Sequence, residues 1–184
     1  MKRVFIIHGY TGYPDTNWFP WLKNELEKLN ISVFIPSMPN TKNPQLREWL
    51  PYLQQQVGTP DRNTYFIGHS LGCITILKYI ESLPENTKIG GALLIAGFIN
   101  PIHFSELNNF FPKPLNDEKI KRNVIKIINI NSDNDHHVPL VQADEIKNRL
   151  NSEMIIIHNG GHLNDKAGFE EFPLLLEKLK ELIV

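Results

Sequence analysis

Short runs of apolar residues alternate along the chain with longer segments in which apolar positions recur every three or four residues. A strand covered on both faces of a sheet reads as a continuous apolar run, and a surface helix as a stripe with a 3.6-residue period. Six runs have the first character: residues 3–7, 32–35, 64–67, 91–96, 124–130 and 154–158. The second character appears between and after them. Trp18, Leu22, Leu26 and Leu29 form one stripe, Leu46, Trp49, Leu50, Leu53 and Val57 another, and Leu71, Ile74, Leu77 and Ile80 a third. Ala143, Ile146 and Leu150 follow, and Phe172, Leu175, Leu176, Leu179 and Ile183 close the chain. Strands alternating with helices predict an α/β protein with a mostly parallel six-stranded sheet and helices on both faces.

One connection departs from this rhythm. Residues 97–123 carry Pro101, Pro112 and Pro114 with Phe98, Ile102, Phe104, Leu107, Phe110 and Phe111 scattered among polar positions. Two readings stand: a plain surface connection, or a small cap whose aromatics line an acyl or alkyl pocket. The remaining connections leave no room for a large lid.

The 184 residues suit a single domain spanning 1–184, and 41% hydrophobic residues with 10% aromatics can fill its core. Nineteen Lys and Arg against twenty Asp and Glu leave a formal net charge of −1. No strong field would draw in nucleic acid or an anionic membrane. The first apolar run is too short for a signal sequence, and no stretch approaches the about 18 apolar residues of a membrane span, so a cytoplasmic protein is expected. A single cysteine, Cys73, excludes an internal disulfide and a thiolate-rich zinc site. It reads as a small packed residue.

The sharpest local signal is Gly68-His69-Ser70-Leu71-Gly72, lying between an apolar run and a helical stripe. Gly-x-Ser-x-Gly between strand and helix describes a tight turn that exposes the serine hydroxyl above the sheet, beside the free N–H groups of a helix start. Serine is also a common helix N-cap, so the motif alone leaves that alternative open. A serine nucleophile needs a base and a group to orient the base. Of seven histidines, His162 is the candidate base. It follows Gly160-Gly161 in the loop after the last strand, at the same end of the sheet as Ser70. His158 reads as a strand-end residue, and His69 should point away from Ser70.

The loop after the fifth strand offers two carboxylates. Asp133 suits a turn that bonds its own backbone, and Asp135, three residues before Val138-Pro139, is preferred as the partner of His162. Ser70, Asp135 and His162 then follow three different strands in the Ser, Asp, His order of α/β-hydrolases. Leu71 N–H and Tyr10 N–H, the latter in the turn His8-Gly9-Tyr10-Thr11-Gly12, are the candidate oxyanion donors. His8 should be structural. No Lys-Ser/Thr follows these glycines, so they do not describe a phosphate loop. His136-His137 diverge as neighbours and lack a second ligand group, so no metal and no cofactor is expected. Trp18, Trp21 and Trp49 read as packing residues, and Trp18 and Tyr13 could also border the substrate.

Six segments carry a wider likeness: Val4-Phe5-Ile6-Ile7-His8-Gly9, Trp18-Phe19-Pro20-Trp21-Leu22, Met38-Pro39-Asn40, His69-Ser70-Leu71-Gly72, Asp135-His136-His137-Val138-Pro139 and Gly160-Gly161-His162. In these the chain resembles the small serine hydrolases related to retinoblastoma-binding protein 9, a compact branch of the α/β-hydrolase superfamily, and its bacterial members especially. The likeness covers nearly the whole chain. It implies that the first strand corresponds to the third of a full α/β-hydrolase, with sheet order 2-1-3-4-5-6 and the ligand crevice where that order reverses. It also implies a carboxylesterase-like or peptidase-like enzyme. The pair His136-His137 departs from the pattern expected of that group.

The resulting expectation is a serine hydrolase acting on small acyl substrates, esters first, through an acyl-serine intermediate. Peptidase and thioesterase activities are the alternatives within enzymes. A regulatory module binding a protein through residues 97–123 is the alternative outside them.

Overall fold

In the computed structural model, which describes residues 1–183, the six runs form one sheet in the order β2-β1-β3-β4-β5-β6. The strands are β1 Arg3–Ile7, β2 Ser32–Phe34, β3 Thr64–His69, β4 Gly91–Ile95, β5 Ile127–Ser132 and β6 Glu153–Ile157, and all five pairings are parallel. This is the order that the resemblance implied.

The apolar runs are continuous because each strand serves two cores. Side chains alternate across a strand, so Phe5 and Ile7 enter one core, while Val4 and Ile6 enter the other. Helices α2 (Leu46–Val57), α3 (Leu71–Ser82), α4 (Asp117–Asn123) and α5 (Val141–Leu150) cover the first face with Trp49, Leu53, Ile74, Leu77, Ile120 and Ile146. Helices α1 (Phe19–Glu27) and α6 (Pro173–Ile183) cover the second with Phe19, Leu22, Leu26, Leu175 and Leu179. Among the described residues no helix is long and apolar enough to cross a membrane.

Two details differ from the sequence expectation. The fifth strand starts at Ile127, because Val124 makes only an isolated bridge to Ile89 and Ile125 turns outward to 54% exposure. Leu29 falls beyond the end of α1 and is 46% exposed, outside both cores. The 97–123 connection folds into a 3-10 turn at Ser105–Phe110 and then α4. Asn116 starts α4 by accepting the Lys119 N–H, and Asp117 and Arg122 sit at the ends that complement the helix dipole.

The connection divides its aromatics. Phe98 and Phe110 are fully buried core residues, whereas Ile102, Phe104 and Leu107 face a cleft at the C-terminal end of the strands.

Candidate active site

Ser70 sits between β3 and α3 with φ +54° and ψ −117°. A non-glycine residue with positive φ is strained, and here the strain turns the side chain out of the strand direction. The flanking glycines make that turn feasible. A β-carbon at Gly68 would lie 2.8 Å from the Cys73 nitrogen, and one at Gly72 would collide with the Ile7 carbonyl. The first turn of α3 therefore packs directly on the end of β1.

The turn after β1 stands opposite. His8 is fully buried; its Nδ1 donates to the Gly9 carbonyl at 2.9 Å and its Nε2 accepts the Met38 N–H at 3.0 Å. Burial lowers its pKa, although the bond to Gly9 acts in the opposite direction. A neutral ring is required for these two roles. Thr11 N–H donates to the Thr41 carbonyl and Trp49 Nε1 to the Pro39 carbonyl, so the Met38-Pro39-Asn40 segment buttresses this turn. Tyr10 N–H and Leu71 N–H donate to no other group among the described residues. Each is the free donor that an oxyanion site needs.

His162 Nδ1 donates to Asp135 Oδ2 at 2.7 Å. The two side chains are 14% and 1% exposed, respectively. Asp135 Oδ1 accepts the His137 N–H at 2.8 Å and the Val138 N–H at 3.1 Å. Burial pushes the Asp135 carboxyl upward, but the bond and charge of His162 together with the two backbone donors hold it below the usual carboxylate range. The carboxylate stays ionised and keeps the proton of His162 on Nδ1, leaving Nε2 free to accept. Ser70 and His162 line one cleft of about 380 Å³ without a hydrogen bond between their side chains. Catalytic contacts are often loose before substrate binds.

Asp133 bonds its own backbone, as expected of a turn residue, and does more. It bonds across to the loop after β6, accepting from His158 Nδ1 at 2.6 Å and from Asn159 N–H at 2.9 Å. His158 is 84% exposed and does not line the cleft.

His69 turns its ring toward the base. Its Nε2 donates to the His162 carbonyl at 2.9 Å, and the two rings lie 4.8 Å apart. Burial, then the charge of His162, lowers the His69 pKa to about 3. Trp18 is fully buried and holds the next carbonyl, that of Leu163, at 3.1 Å. Trp18 and Tyr13 do not border the cleft, contrary to expectation. Trp18 is covered by the loop it supports, and Tyr13 is directed into solvent at 45% exposure.

Several cleft residues were not assigned to the site from the sequence. His137, the departure noted in the acid loop, stands edge-on to His162 at 4.9 Å and near Phe104 at 5.7 Å. Burial and the neighbouring His162 lower its pKa. Thr16, Asn17, Asn164, Asp165 and Lys166 line the cleft with polar groups, and Ile102, Phe104 and Leu107 line it with apolar ones. Cys73 is buried beneath the elbow and bonds the Gly68 carbonyl. Among the described residues no group of three or more His, Cys, Asp or Glu converges to hold a metal ion.

Residues 4–181 match the model of the serine hydrolase family. The chain is 32% identical over 179 residues to the Bacillus subtilis (strain 168) protein YdeN, a match spanning 97% of this chain and 94% of YdeN. The crystal structure of the B. subtilis ydeN gene product is similar with a TM-score of 0.95 at 31% identity, covering 99% of this chain and 98% of that one. Serine hydrolase RBBP9 of Rattus norvegicus is 24% identical over 169 residues, which span 90% of this chain and 86% of RBBP9. At the level of fold alone, Est1E of Butyrivibrio proteoclasticus, in its complex with ferulic acid, matches with a TM-score of 0.77 at 14% identity. That match covers 100% of this chain and 88% of Est1E.

Proposed function

The chain belongs to the serine hydrolase family, and we propose that within it the protein hydrolyses small carboxylic esters through an acyl-Ser70 intermediate, with Asp135 and His162 completing the triad. The observation that carries this reading is the buried Asp135–His162 bond facing the same cleft as Ser70.

In the first half-reaction His162 Nε2 takes the proton of Ser70 as its oxygen attacks the acyl carbonyl. The negative charge that develops on the carbonyl oxygen is met by the N–H groups of Tyr10 and Leu71. Collapse of the tetrahedral intermediate breaks the bond to the leaving alcohol, which receives the proton from His162. Water then attacks the acyl group, its proton passing to His162 and finally back to Ser70, and the carboxylic acid departs. Asp135 remains ionised throughout and stabilises the imidazolium.

Substrate size follows from the cleft. A volume of about 380 Å³ lies in the range of small-molecule sites, and the wall of Ile102, Phe104 and Leu107 suits a short acyl chain. Esters are favoured over peptides because an alkoxide leaves with less help from a proton than an amine does.

A fluorophosphonate probe followed by peptide mapping tests the reading. Labelling at Ser70, abolished by Ser70→Ala and by His162→Ala, is expected. Esterase activity undiminished in Ser70→Ala would overturn it.

A further inference from the structure

The loops leaving β5 and β6 are joined by more than the Asp135–His162 bond. The strands end in register, with Ser132 opposite Ile157. From there a ladder of side chains continues where the backbone ladder stops. Ser132 Oγ accepts the Gly160 N–H at 2.9 Å, and Asp133 Oδ1 accepts the Asn159 N–H at 2.9 Å. Asn134 Oδ1 accepts the Gly161 N–H at 2.7 Å, and Asp135 Oδ2 accepts from the His162 ring. The Ser132 hydroxyl donates to Asn134 Oδ1 at 2.8 Å, tying the rungs together. Four consecutive side chains of one loop thus hold four consecutive residues of the other.

The rung at Asn134 matters most for the base. Gly160 and Gly161 give the chain before His162 wide conformational freedom, and Gly161 uses it, with φ +55°. A single bond to Asp135 orients the imidazole but leaves the height of its backbone unset. The Gly161 N–H, one residue before His162, is fixed by Asn134. From the other side His69 holds the His162 carbonyl.

We propose that Asn134, backed by Ser132, is a positioning residue that sets the reach of His162 toward Ser70. The proposal rests on His162 acting as the base, and it concerns an amide that touches neither substrate nor the reacting atoms. Asn134 is exposed, so its replacement by leucine removes the acceptor without opening a cavity. Asn134→Asp keeps an acceptor oxygen in place.

The experiment compares wild type, Asn134→Leu and Asn134→Asp at pH 8. Steady-state kinetics on a short nitrophenyl ester are read beside the low-field proton NMR signal of the His162 Nδ1–H. Asn134→Leu is expected to lose about 10- to 100-fold in kcat with little change in KM, as a base displaced by a fraction of an ångström would. Its Nδ1–H signal should broaden or vanish, and Asn134→Asp should restore both. A kcat within about twofold of wild type with the signal intact would overturn the proposal. So would a loss confined to KM, or one that Asn134→Asp fails to restore in a folded protein. A vanished signal with wild-type turnover would overturn the role of His162 as base, and the proposal that rests on it.

Discussion

The same two loops hold two histidine–aspartate pairs of nearly equal length, 2.7 Å between His162 and Asp135 and 2.6 Å between His158 and Asp133. Distance does not separate them. The Asp135 side chain is 1% exposed and receives two backbone N–H groups besides the imidazole, whereas the side chains of Asp133 and His158 are 33% and 84% exposed. Water competes for every contact of the outer pair and screens its charges. The inner pair lies beside the serine and a cleft, where an ionised carboxylate can hold a tautomer and favour an imidazolium. The outer pair acts as a strut between loops.

The largest break between the two should come from the inner pair. Asp135→Asn is expected to lower kcat by about 10³- to 10⁴-fold on a short ester, because the amide permits the wrong imidazole tautomer. Steady-state kinetics on folded protein would check it, and a loss below tenfold would erase the distinction.

Acid stability should expose the same contrast in burial. His69 binds a proton only near pH 3 when folded, while an unfolded histidine does so near 6.5. His8, also lowered, acts in the same direction. Between these limits the unfolded chain holds more protons, so stability falls as pH drops below about 6.5, by up to about 1.4 kcal/mol per pH unit for each such group. Asp135, with its lowered pKa, adds a loss of the same sign at more acid pH. Urea midpoints at pH 7.5, 6 and 5 should decrease in that order, and a flat series would contradict neutral, buried rings.

A smaller effect is expected on the apolar wall. Phe104→Ala should raise KM about three- to tenfold for a butyryl ester and less for an acetyl ester, since it removes buried contact area from the acyl side. Equal effects on both esters would place the acyl chain elsewhere. Smallest of all should be the outer pair. His158→Ala and Asp133→Asn are expected to leave kcat within about threefold, and a large loss in either would make the strut part of the chemistry.

Local patterns made much of this legible. Continuous apolar runs announced buried parallel strands, and the stripes on α2 and α3 announced their inward faces, because both are properties of a few neighbouring residues. The Pro-rich 97–123 segment was harder. Its Phe98, Phe104 and Phe110 are the same residue type in similar surroundings, and only the path of the chain sends Phe104 to the cleft and the other two to the core. His137 likewise looked like one half of a diverging pair until the acid loop folded it against His162 and Phe104.

The sequence by itself determined the succession of strands and of five of the helices, the elbow around Ser70, and the candidates Asp135 and His162, since periodicity, glycine placement and position after a strand are encoded within short windows. The tertiary structure alone decided which aspartate meets which histidine, that Asn134 holds Gly161, and which side chains wall the cleft. Those partnerships cross between β5, β6 and the 97–123 connection. They depend on register and burial, which arise only when distant segments pack and exclude water from one pair while leaving the other in it.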